Sequence, residues 1–342
     1  MLNSIQTLRA FAAWLVVFHH YMQVVYNFKL QDPISVFLFR YGAIGVDIFF
    51  IISGFVIYTS TQAQNLSPKN FAIHRIARIA PVYWFFTIIT AVSLLAIPNS
   101  IMSTTYDSAF MLKSLFFIPA QNPSGIGLFP LVTVGWTLNF EMVFYLIFLL
   151  CLFLPSRARA LAIVAGIIVL NKASQLVGGD LSFYNNSIMY EFLFGIMIAI
   201  LHQRNITSRV PTYASAIGII LSLLTISHYG EVTHSPWKQG IPCAVIVFSF
   251  LAQEKLFRHA GLFNRLADWS YSTYLCHVIV ICYVAILKVA FDMSGTLTLA
   301  LAVSLIVVVS SLSFYLVERP ILTYAKKVTR PVKAHQPLSS AP

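Results

Sequence analysis

The sequence predicts an all-α, polytopic membrane protein with about ten transmembrane helices and both termini in the cytoplasm. Of its 342 residues, 58% are hydrophobic and only 10% are charged, whereas an average soluble protein carries about 25% charged residues. The apolar residues lie in continuous runs of about twenty, the length of a spanning helix. A membrane β-barrel would instead need short strands of alternating hydrophobicity.

Ten apolar runs are interpreted as spans, and the fifth and the eighth of them are short. They cover residues 6–26, 41–60, 78–97, 137–154, 160–173, 186–203, 211–228, 239–253, 271–290 and 296–317. The longest loop, 98–136, contains four prolines, and we expect a re-entrant or interfacial segment there. Residues 1–330 are predicted to form a single membrane domain, and residues 331–342 a disordered cytoplasmic tail.

Basic residues indicate the orientation of these spans. If the N-terminus lies inside and the spans alternate, 16 of the 22 Lys and Arg residues fall in inside segments and 6 fall outside. The positive-inside rule therefore places both termini in the cytoplasm. The net charge of +11 is mostly this bias, so it indicates contact with anionic lipid and not with nucleic acid.

Ionisable side chains inside the spans are the first functional candidates, because each costs several kcal/mol in hydrocarbon. They are His19, His20, Asp47, Glu141, Glu191, His277 and Glu318. A rise of about 1.5 Å per residue predicts that His20, Asp47, Glu141 and Glu191 share one layer in the outer half of the membrane. By the same estimate His277 and Glu318 lie nearer the cytoplasmic face.

The first span carries a basic residue and a histidine on one stripe. Arg9 and His20 are eleven residues apart, which brings the helix back to within about 20° and separates them by about 16 Å in depth. His19 points away from that stripe. The pair suits one ligand that touches a charge at the cytoplasmic mouth and a titratable group deep inside. Alternatively, Arg9 is a snorkelling anchor and His20 is a buried structural histidine.

A second basic pair precedes the third span. Arg75 and Arg78 lie at i and i+3, so they share a helical face just inside the cytoplasmic boundary. Guanidinium groups suit phosphate oxygens. The alternative interpretation is that both arginines are plain membrane anchors.

The chain resembles the acyltransferase-3 family of membrane acyltransferases over nearly its whole length. The resemblance lies in six blocks that follow the order of the family: LRAFAAWLVVFHH, YGAIGVDIFFIISGFVI, RIAR, WTLNFEMVFY, SYSTYLCH and YLVERP. It implies ten spanning helices and transfer of an acyl group, most often acetyl, from cytoplasmic acyl-CoA to a sugar hydroxyl across the membrane. The implied acceptors are exopolysaccharide, O-antigen or other lipid-linked glycans, and the implied location is the bacterial inner membrane.

The resemblance also assigns residues to the donor. Acetyl-CoA would be held at its phosphates by Arg9, Arg75 and Arg78, with no metal or prosthetic group. Tyr271, Tyr274 and His277 are expected to line the CoA channel; an interfacial aromatic belt is the alternative for this block.

For the chemistry, the resemblance makes His20 the general base or an acyl-accepting nucleophile. Asp47 would orient His20 as a carboxylate does in a hydrolase triad. Glu141 would be an orienting carboxylate or a ligand of the acceptor hydroxyl. Trp136 and Tyr145 are assigned to substrate binding, although Trp136 also suits an anchor at the outer interface.

Two other classes of protein compete with the enzyme. A secondary transporter of a small anionic solute would also bury charges among ten or more helices, but the sequence lacks the paired broken helices of such folds. A non-catalytic membrane scaffold would not need a layer of ionisable groups. Both alternatives leave the arginine and histidine of the first span without a use.

Overall fold

The computed structural model describes residues 2–27, 32–64, 67–259 and 261–329. Within these residues the chain forms helices and no strands. The α-helices are α1 (Asn3–Tyr26), α2 (Pro33–Tyr41), α3 (Ile44–Gln64), α4 (Pro68–Ala96), α5 (Ser108–Leu115), α6 (Trp136–Cys151), α7 (Ser156–Val177), α8 (Glu191–Gln203), α9 (Thr212–Tyr229), α10 (Ile241–Ala252), α11 (Gly261–Ala290), α12 (Gly295–Ser313) and α13 (Arg319–Val328). The predicted tail, 331–342, lies outside the described residues.

Every predicted apolar run coincides with a helix, which confirms the all-α membrane fold. Seven helical stretches in the described residues are long and apolar enough to cross a membrane, and they contain α3, α4, α6, α7, α9, α11 and α12. The other three runs coincide with α1, α8 and α10, of which α8 and α10 have only 13 and 12 residues. The count of ten spans and the side of each terminus stay predictions.

Several helices begin where a short polar side chain accepts a hydrogen bond from the first turn. Asp32 accepts one from the backbone N–H of Ser35 at 2.9 Å, and Asp107 accepts one from that of Phe110 at 2.7 Å. Ser67 and Ser294 cap α4 and α12 in the same way. These caps satisfy backbone donors that the helix itself leaves free, so they fix the points at which the chain turns.

The contact between α3 and α8 depends on two glycines that face each other. A Cβ on Gly195 would overlap the carbonyl oxygen of Ile51, and a Cβ on Gly54 would overlap that of Phe192. Without side chains at these points, the two backbones approach closely, as small residues allow in membrane helices. This close approach sets α3, which carries Asp47 and Ser53, firmly against α8.

Two π-helical turns interrupt the helical pattern. Phe314–Glu318 joins α12 to α13, and Pro236–Gly240 leads into α10. Turns of this kind are rare and often lie at functional sites. In this chain the first one carries Glu318 and the second carries Gln239, and both side chains are fully buried.

The helix α11 begins ten residues earlier than its apolar run. The run starts at residue 271, but the helix starts at Gly261 and includes the polar residues Asn264, Arg265 and Asp268. His277 is therefore about four turns from the start of α11 and not near it. The predicted difference in depth between His277 and His20 is wrong, since the two rings are in hydrogen-bond contact, and hydropathy does not detect the polar first turns of α11.

The long loop 98–136 contains one short helix, α5, and a 3₁₀ turn, Thr133–Gly135. Asn122 binds it together, since its side-chain amide donates to Thr104 Oγ1 at 3.3 Å and to the carbonyl of Phe129 at 3.2 Å. The indole N–H of Trp84 on α4 donates to the carbonyl of Leu115 at 2.7 Å. These bonds hold the loop against the bundle at the end where α6 begins.

Candidate active site

A cavity of about 1200 Å³ lies between α3, α4, α6, α11 and α13. One end, next to α13, is lined by basic side chains. They are Arg9, Arg75, Arg78, Arg319 and Lys326. The other end is lined by Phe49 of α3, by Thr137 and Leu138 of α6, and by Tyr274 of α11. The cavity is long, because Arg75 contacts Ser60 and Tyr274 contacts Phe49, and these two residues of α3 are about 16 Å apart along the helix.

Arg78 is held by a carboxylate from the π-helical turn. Its guanidinium forms an ion pair with Glu318, and the second oxygen of Glu318 accepts a hydrogen bond from Ser272 at 3.1 Å. The Arg78 guanidinium also lies 5.4 Å from the centre of the Tyr271 ring. Glu318 thus connects Arg78 of α4 with Ser272 of α11 and ties both helices to the start of α13.

Arg9 and Arg75 donate hydrogen bonds only to neutral groups among the described residues, and neither forms an ion pair there. Arg9 donates to Ser270 Oγ at 3.0 Å and to Gln6 Oε1 at 3.4 Å. Arg75 donates to Ser60 Oγ at 3.0 Å, while its Nε is buried without a partner. A buried guanidinium without a carboxylate can accept an anionic ligand at little cost. These two arginines are therefore the candidates for binding phosphate.

Glu141 and Tyr145 lie in the wall of the cavity and contact each other. Glu141 Oε1 accepts hydrogen bonds from Tyr145 at 2.5 Å and from Ser53 at 2.8 Å, and the Arg75 guanidinium lies 5.6 Å from the centre of the Tyr145 ring. Ser53 is six residues beyond Asp47 on α3, which is about 9 Å along the helix. The prediction that Glu141 shares a layer with Asp47 is thus wrong: Glu141 lies deeper, beside the basic end.

Tyr271 and Tyr274 both line the cavity, as the sequence suggested. The Tyr271 hydroxyl donates to the carbonyl of Ile79 at 2.7 Å. The Tyr274 hydroxyl donates to the carbonyl of Val134 at 3.0 Å and also contacts Thr137. Their hydroxyls are therefore engaged with backbone and side-chain groups, and the faces of the rings form the walls.

His277 does not line the cavity; it contacts His20. His277 Nε2 and His20 Nδ1 are 3.1 Å apart, and the ring of His277 lies 5.9 Å from that of Tyr274. The expectation that His277 lines the CoA channel is corrected, since the longer α11 carries this residue up to the level of His20. Tyr274 both lines the cavity and lies beside His277.

The hydrogen bonds of this pair define which ring nitrogens carry protons. His277 Nδ1 lies 3.2 Å from the carbonyl of Thr273, and His20 Nδ1 lies 3.0 Å from that of Val16. A carbonyl can only accept, so both Nδ1 atoms are protonated and His277 Nε2 accepts from His20. In the described part of the chain both hydrogen bonds of the His20 ring use Nδ1. Its Nε2 therefore keeps a free lone pair.

Both ring nitrogens of His19, by contrast, take part in hydrogen bonds. Its Nδ1 donates to the carbonyl of Phe39 at 2.6 Å, and its Nε2 accepts from Gln23 at 3.0 Å. The two adjacent histidines thus differ in chemistry: His19 joins α1 to α2, and His20 presents a base.

Asp47 contacts His234, a histidine outside the predicted spans, and not His20. Its Oδ2 accepts from Nδ1 of His234 at 2.9 Å, and its Oδ1 has no hydrogen-bond donor among the described residues. The pairing of Asp47 with His20 is therefore corrected to a pairing with His234. Depth along a helix can be estimated from sequence, but the direction around the bundle cannot, and His234 lies 187 residues away on a loop.

Trp136 begins α6 and lies beside this second histidine. The rings of Trp136 and His234 are 5.6 Å apart, and Trp136 is only partly buried. Its neighbours Thr137 and Leu138 line the cavity, but Trp136 does not. The residues predicted to act on substrate thus lie in three places: in the cavity, in the His20–His277 pair, and around Asp47.

This arrangement defines a class of protein: a helical membrane protein whose internal cavity carries unpaired arginines at one end and a histidine base beyond the other. A family model described as an acyltransferase domain, that of the acyltransferase-3 family, matches residues 2–319. The chain therefore belongs to the acyltransferase-3 family. No solved structure matches it.

Several curated relatives have informative names. "Exopolysaccharide production protein ExoZ" of Rhizobium meliloti (strain 1021) is 32% identical over 306 residues, which cover 85% of this chain and 93% of the relative. "Putative membrane-bound transacylase BcsY" of Komagataeibacter xylinus is 27% identical, covering 84% of this chain and 78% of the relative. "Putative peptidoglycan O-acetyltransferase YrhL" of Bacillus subtilis (strain 168) is 24% identical, covering 92% and 54%. This chain is accordingly a multi-pass membrane acyltransferase.

Proposed function

We propose that this acyltransferase moves an acetyl group from cytoplasmic acetyl-CoA to a hydroxyl of an extracytoplasmic or lipid-linked glycan, such as exopolysaccharide or O-antigen, in the bacterial inner membrane. One observation carries the proposal. The cavity of about 1200 Å³ has cations at one end and Tyr274 at the other, and the His20–His277 pair lies directly beyond Tyr274. The name of the relative from Rhizobium meliloti supports exopolysaccharide as the acceptor.

The donor fits the cavity by charge and by shape. CoA carries its phosphates at one end and a thin pantetheine arm at the other. Arg9 and Arg75 would bind the phosphates, because neither has a carboxylate partner among the described residues. Arg78 would act mainly through Glu318, by holding the walls of the cavity. The arm would then extend past Tyr271 to Tyr274.

Glu141 and Tyr145 lie beside Arg75 in this cavity, so we assign them to the donor and not to the acceptor. The carboxylate of Glu141 can accept a hydrogen bond from an amide N–H of the pantetheine arm. This role keeps Glu141 in the reaction as a positioning residue. Tyr145, which the sequence assigns to substrate binding, would then contact the donor.

Transfer at His20 requires a proton acceptor, and its free Nε2 meets that need. In the direct route the acceptor hydroxyl gives its proton to Nε2, and its oxygen attacks the thioester carbonyl. The C–S bond then breaks, and the CoA thiolate takes the proton from the imidazolium. In the covalent route Nε2 attacks the thioester carbonyl first, and the C–S bond breaks to leave an acetyl-imidazolium and the CoA thiolate. The hydroxyl oxygen then attacks the acetyl group, the C–N bond breaks, and the hydroxyl proton passes to the thiolate. Both routes need the Tyr274 ring to move aside for the thioester.

The test of the proposed function is mass spectrometry of surface polysaccharide from cells that express the chain, its His20→Ala variant, or neither. We expect acetyl esters only with the active chain. A transporter of a small anion would give a different result: the purified protein in liposomes would accumulate solute inside, and no acetyl group would appear on glycan with acetyl-CoA supplied. That outcome would replace the acetyltransferase proposal with the transporter.

A further inference from the structure

The His234 side chain is bound to Asp47 through one ring nitrogen, and its other ring nitrogen has no hydrogen-bond partner among the described residues. Asp47 is fully buried and the side chain of His234 is 20% exposed. Because Nδ1 of His234 donates to the carboxylate at 2.9 Å, the remaining nitrogen, Nε2, is at the opposite edge of the ring. The described residues offer this Nε2 no hydrogen-bond partner. An imidazole fixed by a buried carboxylate can therefore contact a ligand.

The backbone around His234 is clamped from both sides. Gln239, which is fully buried in the π-helical turn, accepts hydrogen bonds at Oε1 from Thr233 Oγ1 at 3.3 Å and from the N–H of Ser235 at 3.1 Å. His234 itself has a φ of +54°, a left-handed conformation that costs a residue with a Cβ some free energy. The chain therefore holds His234 in one strained position.

The surroundings of His234 include the aromatic ring of Trp136 and the adjacent histidines His19 and His20. The Trp136 ring is 5.6 Å away and tilted by 55°. His234 is close enough to His19 to interact with it electrostatically, and the rings of His19 and His20 are 5.1 Å apart. A ligand held between Trp136 and His234 would thus lie on the side of the bundle from which His20 can be reached, away from the cationic end of the cavity.

The charges around His234 indicate which ligands fit. Asp47 and Glu191 are both fully buried, and Glu191 is close enough to Asp47 to interact with it electrostatically. Neither carboxylate oxygen of Glu191 has a hydrogen-bond donor in the described residues. The Asp47 carboxylate, which contacts the imidazole directly, offsets a positive charge on His234, so this contact offers no excess positive charge to an anion. An aromatic ring and a hydrogen-bonding imidazole side by side instead suit a neutral sugar, whose C–H face packs on the ring while a hydroxyl binds the nitrogen.

We propose that Trp136 and His234 form the acceptor subsite, which takes a neutral sugar residue of the glycan and holds one of its hydroxyls at His234 Nε2. Asp47 and Gln239 are positioning residues for His234. The proposal rests on the proposed function, because it needs a glycan acceptor. It assigns acceptor binding to the Asp47 group and leaves donor binding to the cavity.

The experiment measures acetyl transfer by the purified full-length protein to the chemically de-O-acetylated surface polysaccharide of the expressing cells. The informative variant is His234→Asn. The Asn amide can still donate to Asp47 and Asn tolerates a positive φ, so the variant keeps the fixed end and loses only the free nitrogen. Its KM for the polysaccharide should rise about three- to tenfold, the effect of one hydrogen bond, while the KM for acetyl-CoA stays constant. Trp136→Ala should act in the same direction.

The matched control is His228→Ala, since His228 is an exposed histidine that precedes the same loop; it should keep both KM values. An unchanged polysaccharide KM in His234→Asn and Trp136→Ala would overturn the acceptor subsite while leaving the acetyltransferase intact. A rise in the KM for acetyl-CoA would also overturn it, because the subsite would then belong to the donor. If the parent protein acetylates no glycan, the proposed function fails and the subsite fails with it.

Discussion

At the scale of single residues, the structure separates arginines that the sequence treated alike. Arg75 and Arg78 are three residues apart and both line the cavity. Of the two, only Arg78 forms an ion pair with an acidic residue in the part of the chain that the structure describes, and that partner is fully buried. The same residue type at two neighbouring positions therefore has two expected roles: binding the donor for Arg75, and holding the helices together for Arg78.

Replacing these arginines by alanine should give different results. Arg75→Ala removes a charge-assisted contact with phosphate, worth about 1.5–3 kcal/mol, so the affinity for CoA should fall roughly ten- to a hundredfold with the melting temperature little changed. Arg78→Ala leaves Glu318 buried and unpaired, so its main effect should be a lower melting temperature. Calorimetry with CoA and thermal unfolding in detergent measure the two effects. Equal CoA affinity in Arg75→Ala and the parent would return Arg75 to the role of a membrane anchor.

His277 should support catalysis through His20 without contacting substrate. His277→Phe keeps the ring and removes the acceptor for His20 Nδ1–H, so kcat should fall about two- to tenfold at constant KM values. His277→Gln can still accept at nearly the same point and should retain more activity. A rise in KM for acetyl-CoA in either variant would show instead that His277 belongs to the donor site.

At the scale of helices, the close contact of α3 with α8 makes a prediction about folding. Gly195→Ala would place a methyl group against the backbone of α3, where nothing flexible can give way. Overpacking of this kind costs about 1–3 kcal/mol, and the displaced α3 carries Asp47 and Ser53. We expect a lower melting temperature and reduced transfer.

The control for that prediction is Gly261→Ala at the start of α11, because no atom lies within 4 Å of the added Cβ. Both substitutions remove a helical glycine, so a general effect on helix propensity would appear in both. A Gly195→Ala variant as stable and active as Gly261→Ala would contradict the tight contact between α3 and α8.

The helices could be predicted from sequence because apolar runs are a direct record of burial in lipid. The extra turns of α11 could not, because Asn264, Arg265 and Asp268 are polar and hydropathy ends the span at them. Because these turns were not predicted, His277 was expected too close to the start of its helix. In the same way, the depth of Asp47 could be estimated, but its partner could not, since His234 lies on a loop whose path is fixed by the clamp of Gln239.

At the scale of the whole molecule, the proposed transfer requires acetyl-CoA and the glycan acceptor to enter from opposite faces of the membrane. Reporter fusions at Ser156 should therefore read cytoplasmic, and fusions at Gln121 and Val232 should read external. Gln121 lies in the long loop and Val232 lies two residues before His234. A cytoplasmic reading at Val232 would place the His234 loop on the side of acetyl-CoA and would contradict the division of the site.

The six sequence blocks contain residues of the donor cavity and residues near His234, but they do not show which residue belongs to which. Glu141 and Tyr145 belong to a block that begins at Trp136, yet they lie beside Arg75 while Trp136 lies beside His234. One helix, α6, thus passes from the acceptor group to the donor cavity. A helix rises about 1.5 Å per residue, so residues at its two ends can contact different sites. Which site each residue contacts is known only once the neighbouring helices are placed.

In the proposed function, the cavity binds acetyl-CoA and His20 performs the acetyl transfer. The most direct measurement is one preparation of the His20→Ala variant assayed both for CoA binding by calorimetry and for acetyl transfer to de-O-acetylated polysaccharide, beside His19→Ala and the parent. We predict that His20→Ala binds CoA like the parent and transfers no acetyl group, while His19→Ala retains transfer. Full transfer by His20→Ala would contradict the claim, and so would loss of its CoA binding.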